Sequence, residues 1–207
     1  MTTLARFDKL PDDKKRRILE VAAQEFIEHG FEKASLNLII ERAGISKGSM
    51  YYYFHDKTHL YVAVLDRMVM RVFEQQPLPE RSTLTADNYW QRFSEYMIQL
   101  ANYWEEHPEV TALAKTMTPM RHLRGEAPFK SLYERTRIWL DRIFDAGQSL
   151  GVIRDDMPRD LMMTLWLAVD DVLDAHALER WDSMSPQEHS DYIVNGWNMF
   201  QRMFEAS

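Results

Sequence analysis

Apolar positions along this chain recur at helical spacing almost throughout, and nowhere do they alternate as strand positions would. Ile18, Ala22 and Phe26 form one stripe and Leu19, Ala23 and Ile27 its neighbour, predicting a helix over 12–29 that Gly30 ends. Ser35 then precedes a short apolar group, Leu36, Ile39, Ile40 and Ala43, and Gly44 follows it. That is a capped helix with a left-handed stop. Ile45 turns inward, and Ser46 can cap a second short helix over 47–54 in which Met50 and Phe54 share one face. Asp56 can cap a longer helix running through Leu60, Val64 and Met68 to Gln75. Residues 1–11 carry no such stripe and are expected to be a mobile arm.

The rest of the chain reads as further helices. A loop with Pro77 and Pro79 leads to Thr85, the expected cap of a helix over 86–107 that Pro108 interrupts. Helix resumes over 109–117, an irregular stretch spans 118–128, and another helix covers 129–150 with Gly151 as its stop. Pro158 opens a helix to Trp181, and Ser185, Pro186 and Glu188 make a capping box for a last one to Glu205. The helix from Pro158 has two apolar stripes, Leu161, Leu165, Ala168 and Val172 on one side and Met162, Trp166, Val169 and Leu173 on another. Such a helix is covered on both sides. The last helix carries Ile193, Trp197, Phe200 and Phe204. A four-helix interface between two copies is expected, built from Leu161, Leu165, Ala168, Val172, Ile193, Trp197, Phe200 and Phe204.

Composition narrows the setting. The 207 residues include no cysteine, so disulfides and thiolate metal sites are excluded. The first fifteen residues have no apolar signal region and no run suits a membrane span, so a cytoplasmic protein without a membrane partner is expected. The net charge is −7, but residues 1–60 hold ten of the 25 Lys and Arg and nine of the 32 Asp and Glu, leaving that part at +1 and the remainder at −8. An anionic partner of the N-terminal part would be held by a few placed groups, with modest non-specific affinity that falls with salt.

The stretch 36–57 carries the most specific chemistry. Two short helices joined by a glycine-containing turn form a helix-turn-helix unit. On the second, Lys47, Tyr51 and His55 make a stripe beside Gly48 and Tyr52. A cation, phenolic hydroxyls and an imidazole bind phosphates and touch base edges, and three consecutive tyrosines are costly to expose without a partner. Gly30–Phe31–Glu32, Ser35, Ile39, the run from Ala43 to Ser49, the run from Tyr51 to Phe54, and Lys57 together resemble the DNA-binding signature of the TetR family of bacterial transcriptional regulators. The likeness runs without a gap from Lys14 to Leu65.

The resemblance implies an all-α homodimer with an N-terminal helix-turn-helix DNA-binding domain of three helices, 1–56, and a C-terminal effector-binding and dimerisation domain, 57–207. It implies a repressor that leaves double-stranded operator DNA when a small, largely apolar effector binds. Ser35, Asn37, Tyr51, Tyr52 and Lys57 would hold phosphates, and Lys47, Gly48, Ser49 and Tyr52 would touch bases, with Ser46 and His55 in the same surface. The helix from Lys57 would be the lever between the two domains. Phe93, Met97, Trp104, Met117, Trp139, Ile143, Trp166 and Asp170 are the expected pocket. Asp170 and Asp171 suit either a cationic ligand or a salt bridge with Arg137 or Arg142. A second reading keeps the fold and drops the effector, making the chain a DNA-bound adaptor for a protein partner.

Catalysis is not expected, and neither is a cofactor. Gly44, Ser46 and Gly48 fit G-x-S-x-G, but a nucleophile elbow needs a strand before the serine, and here a helix precedes it. His55 and His59 stand at i, i+4 with no H-E-x-x-H pattern and no neighbouring third ligand expected, so no metal site is expected.

Overall fold

The computed structural model describes residues 6–123 and 125–206. The described residues are helical apart from connections, and their only strand-like pairing is an isolated bridge between Ile153 and Glu205. The helices are α1 (Asp12–Lys33), α2 (Leu36–Ala43), α3 (Lys47–Tyr53), α4 (Lys57–Gln75), α5 (Tyr89–Glu106), α6 (Pro108–Met117), α7 (Phe129–Ser149), α8 (Arg159–Arg180) and α9 (Pro186–Phe204), with 3₁₀ turns at Arg81–Thr83, Thr118–Leu123 and Trp181–Ser183. Two compact units emerge: residues through Val72 together with Ala112–Leu132, and Phe73–Thr111 together with the chain from Tyr133. The first unit therefore takes in most of α4 and extends past the division expected at residue 56.

The first unit is built on α1. Ile18, Ala22 and Phe26 are fully buried, and Gly30, at φ 69° and ψ 167°, breaks the helical path where the apolar stripe predicts. Ile39 and Ala43 of α2, Met50 of α3, Phe54, and Leu60, Tyr61, Val64 and Leu65 of α4 complete the core. Phe26, Phe31 and Tyr61 form an aromatic cluster, and the Tyr61 hydroxyl lies 2.7 Å from Thr116 Oγ1. The segment before α1 is not a free arm from residue 6 onward. Phe7 is buried, with its ring 4.8 Å from that of Phe54 and 6.2 Å from that of Tyr53. Residues 1–5 of the expected arm lie outside the described residues.

The second unit packs α5, α7, α8 and α9 around Tyr89, Phe93, Phe144, Trp166, Trp197, Phe200 and Phe204. Trp166 lies flat on Phe200, with centroids 4.1 Å apart, and the Tyr89 hydroxyl donates to the Ile143 carbonyl at 2.9 Å. Helix α5 starts at Tyr89, later than Thr85 suggests, because Asn88 folds back: its Oδ1 accepts the Thr85 N–H and its Nδ2 donates to the Thr83 carbonyl. Pro108 separates two helices, and 118–123, expected to be irregular, forms a 3₁₀ turn. The Ser185 capping box is present as predicted.

One correction concerns the expected dimer surface. Trp197, Phe200 and Phe204 are 2%, 4% and 1% exposed and fill this chain's own core, while Ile193 is half-buried. Spacing cannot tell a stripe covered by the chain itself from one covered by a second copy. On α8 the two stripes separate as expected. Met162 and Trp166 are buried, whereas Leu161, Leu165, Ala168 and Val172 are exposed.

The glycine in α7 is the tightest point of this core. A β-carbon on Gly147 would stand 2.6 Å from the Ile153 side chain and 2.9 Å from the Tyr89 ring. Gly147→Ala is therefore expected to destabilise the protein by about 1–3 kcal/mol, the usual cost of overpacking, read as a lower urea midpoint at unchanged slope.

Candidate nucleic-acid interface

The surface around α3 is assembled from local signals. Ser35 Oγ accepts the Leu38 N–H at 3.3 Å, and Ser46 Oγ accepts the Ser49 N–H at 3.0 Å, so both short helices begin on a serine cap. Gly44 takes φ 67° and ψ 37°, closing α2 with its N–H on the Glu41 carbonyl and turning the chain into α3. Met50, Tyr53 and Phe54 are buried and pin α3 to the core. What remains outward is Lys47, Gly48, Tyr51 at 48% exposure, Tyr52 at 54%, and His55. The expectation of three exposed tyrosines is thus corrected to two, because Tyr53 falls on the Met50 side of the helix.

Gly48 has a telling environment. A β-carbon there would meet nothing closer than Ser46 Oγ at 3.8 Å. Folding leaves room for alanine, which is the better helix former by about 1 kcal/mol. The missing side chain instead lets another molecule approach the backbone closely.

The other expected contact residues divide. Ser35 and Asn37 are exposed at the start of α2. Ser46 and Ser49 are tied to each other, hydroxyl to hydroxyl at 2.9 Å. Lys57 points its ammonium at two carbonyls, Glu32 at 2.9 Å and Ala34 at 3.3 Å, and lies over the Phe31 ring. It clamps the turn between α1 and α2. The Arg6 guanidinium lies 4.6 Å from the centre of the Tyr52 ring.

Two features were not anticipated. The first is Glu25 on α1, which is fully buried. Its Oε1 accepts the Ser35 N–H at 2.9 Å, and its Oε2 lies 3.6 Å from the Arg42 guanidinium. A glutamate on an otherwise apolar face is the only sequence trace of this. The second is the place of Asp56 between two imidazoles, His55 and His59, while its carboxylate caps α4 as expected, accepting the His59 N–H at 2.9 Å. Partial burial pushes its carboxyl up, but the hydrogen bonds from the His59 ring and backbone and from His55 outweigh that and draw it down to about 2. The third group that His55 and His59 lacked in the sequence reading is the residue beside them.

The G-x-S-x-G match carries no elbow, since α2 precedes Ser46 and the Ser46 oxygen is occupied in capping. Away from the head, Phe93, Ile143 and Trp166 of the expected pocket are core residues, and Met97, Trp104, Trp139 and Asp170 are half-buried. Met117 belongs to the first unit and the other seven to the second. A groove of about 670 Å³ lined by Glu134, Arg137, Ile138, Asp141, Arg159, Asp160 and Met163 touches none of the eight.

Residues 18–64, the stretch that builds this surface, match the profile of bacterial regulatory proteins of the tetR family. Over those residues the chain carries the DNA-binding signature of that family. The chain is a TetR-like DNA-binding transcriptional regulator. It is 28% identical over 155 residues to the HTH-type transcriptional repressor AcnR of Corynebacterium diphtheriae, covering 73% of this chain and 74% of that protein. A match to the HTH-type transcriptional activator FasR of Mycolicibacterium smegmatis is 43% identical over 65 residues, 31% of this chain and 30% of the relative. In fold it is similar to the regulator FadR of Bacillus subtilis, solved in complex with stearoyl-CoA, with a TM-score of 0.68 over 89% of this chain and 98% of that one at 14% identity. No helix among the described residues is long and apolar enough to cross a membrane.

Glu25 joins this surface to the core. Glu25→Ala is expected to lower stability by about 1–3 kcal/mol by stranding the Ser35 N–H, with a matching drop in the urea midpoint.

Proposed function

We propose that two copies of this chain bind a two-fold operator in the cytoplasm, repress transcription, and leave the DNA when a small, largely apolar effector occupies the C-terminal domain. The observation that carries the DNA half is α3, a helix of seven residues with Met50 and Tyr53 buried on one side and Tyr51, Tyr52, Lys47 and Gly48 bare on the other. In this reading α3 enters the major groove. Ser35, Asn37, Tyr51 and Tyr52 hold phosphates, and Lys47, Gly48 and Ser49 meet bases. Lys57 positions the turn before α2 and offers its remaining donor to a phosphate.

A homodimer is supported by the bare stripe Leu161, Leu165, Ala168 and Val172, which runs along one side of α8 and has no cover within its own unit. The effector is supported by the aromatic and methionine content of the second unit and by a fold relative that holds an acyl-CoA. The chain leaves the first unit within α4, after Val72, which makes that helix the element whose tilt would change the spacing of two reading heads. The adaptor reading is favoured by one observation, that Phe93, Ile143 and Trp166 are buried members of the core cluster of the second unit. Native mass spectrometry of the purified protein separates the two, through a co-purifying small molecule or its absence. No catalytic role is assigned.

Two results are expected. In a gel-shift titration with the DNA upstream of its own gene at low salt, the protein binds and Tyr52→Ala weakens it about tenfold, the loss of one charge-assisted contact; retention of full affinity would remove Tyr52 from the interface. Leu165→Glu with Val172→Glu is expected to convert the dimer to a folded monomer in light scattering, and an unchanged mass would place the interface elsewhere.

A further inference from the structure

We propose that His55, Asp56 and His59 form a binding site for a late first-row divalent cation, Zn(II) or a close relative, at the edge of the reading head. One donor atom from each of the three lies within 4.8 Å of the other two. His55 Nδ1 is 3.1 Å from Asp56 Oδ2, His59 Nδ1 is 2.8 Å from Asp56 Oδ1, and the two rings are 5.4 Å apart. Donors bound to a tetrahedral zinc at its usual bond lengths stand about 3.3–3.5 Å from each other. Each imidazole nitrogen therefore stands a few tenths of an ångström nearer the carboxylate than two zinc ligands would, and side-chain adjustment of the three groups admits an ion among them.

The fold holds the set in place. Asp56 Oδ1 accepts the His59 N–H at 2.9 Å as the N-cap of α4, so one oxygen anchors the carboxylate, and Oδ2, which His55 Nδ1 now faces, is the oxygen an ion would take. His59 sits in the first turn of that helix, and its side chain is 30% exposed, so its ring has restricted freedom. His55 is 74% exposed at the end of the reading helix and is the mobile ligand. Two imidazoles and one carboxylate favour zinc, cobalt, nickel or copper over calcium or magnesium. Three protein ligands leave a fourth position on the open side, for water or for a phosphate oxygen of bound DNA. The other histidine-bearing group, Glu25, Glu28 and His29, is a poorer candidate because Glu25 is buried and already serves Ser35 and Arg42.

The consequence for DNA rests on the repressor reading, whereas the site itself does not. A divalent charge held at residues 55–59 would add two units to a segment whose own net charge is +1 over residues 1–60. The bound ion would therefore tighten operator binding.

The decisive experiment uses the full-length, untagged, chelator-stripped protein titrated with ZnCl2 in a calorimeter without DNA. One ion per chain is expected, with affinity reduced at least tenfold in His55→Ala and in Asp56→Asn, which retains the cap, and unchanged in His29→Ala. Absence of saturable binding, equal affinity in His55→Ala and Asp56→Asn, or loss in His29→Ala would overturn the site. Circular dichroism identical across the variants shows that the comparison is between folded proteins. In a separate arm, fluorescence anisotropy with upstream DNA is expected to show severalfold tighter binding with Zn(II) for the wild type. No gain there, with the metal titration positive, overturns the coupling and keeps the site. No DNA binding with or without metal overturns the repressor reading alone.

Discussion

The carboxylate of Glu25 has no access to water, and its neighbours are polar groups of α1, α2 and the approach to α2: the Ser35 N–H donates to Oε1, and His29 and Arg42 stand 3.8 and 3.6 Å from its oxygens. Burying a charge without partners is far more costly than burying an apolar side chain. In this fold the Ser35 N–H stands against Oε1 and the Arg42 guanidinium near Oε2. Those two positions bracket α2, and fixing both ends fixes its direction relative to α1. Gly44 then turns the chain, with the Arg17 guanidinium 3.4 Å from the carbonyl of Arg42 and directly beside the glycine. The orientation of α3 follows from α2, so a buried carboxylate beneath this surface helps set how the surface is aimed.

The reading surface itself works with little net charge. Its cations are partly committed: Lys57 closes a turn and Arg42 faces Glu25. Lys47 is exposed on α3, and the phenols of Tyr51 and Tyr52 flank it. Hydroxyl groups position a protein on a phosphate backbone without a strong long-range field, so under the proposed DNA-binding role geometry would take the larger share of recognition. Arg6 over the Tyr52 ring adds a cation that reaches the surface from the segment before α1. The burial of Phe7 against Tyr53 and Phe54 explains how that segment is held there.

What could be read from the sequence was local. Ser35, Gly44, Ser46 and Ser185 announce helix ends through hydrogen bonds to residues three or four positions away, and each is found where expected. Gly30 and Pro108 are equally local in effect. The features that escaped depend on neighbours remote in sequence or on which side of a helix is covered. Tyr53 differs from Tyr51 and Tyr52 only in azimuth. Trp197, Phe200 and Phe204 have the spacing of an interface and of a core alike, and only the packing of α5, α7 and α8 around them decides the matter. Glu25 reads as a surface residue until Ser35 and Arg42 are brought to it. Asp56 lies beside His55 in sequence, yet its role as cap concealed its second role between two imidazoles.

The reading unit is made of very short pieces. Helices α2 and α3 have eight and seven residues, below the length at which a peptide helix persists alone in water. They exist because Ile39, Ala43, Met50 and Phe54 are locked into the core of the first unit. Shape and contact are therefore lost together, and a genetic screen for derepressed colonies would return substitutions at Ile39, Met50 or Phe54 as readily as at Tyr52. Phenotype by itself would then draw the DNA-contact map too large, extending it through the hydrophobic interior as far as Phe26.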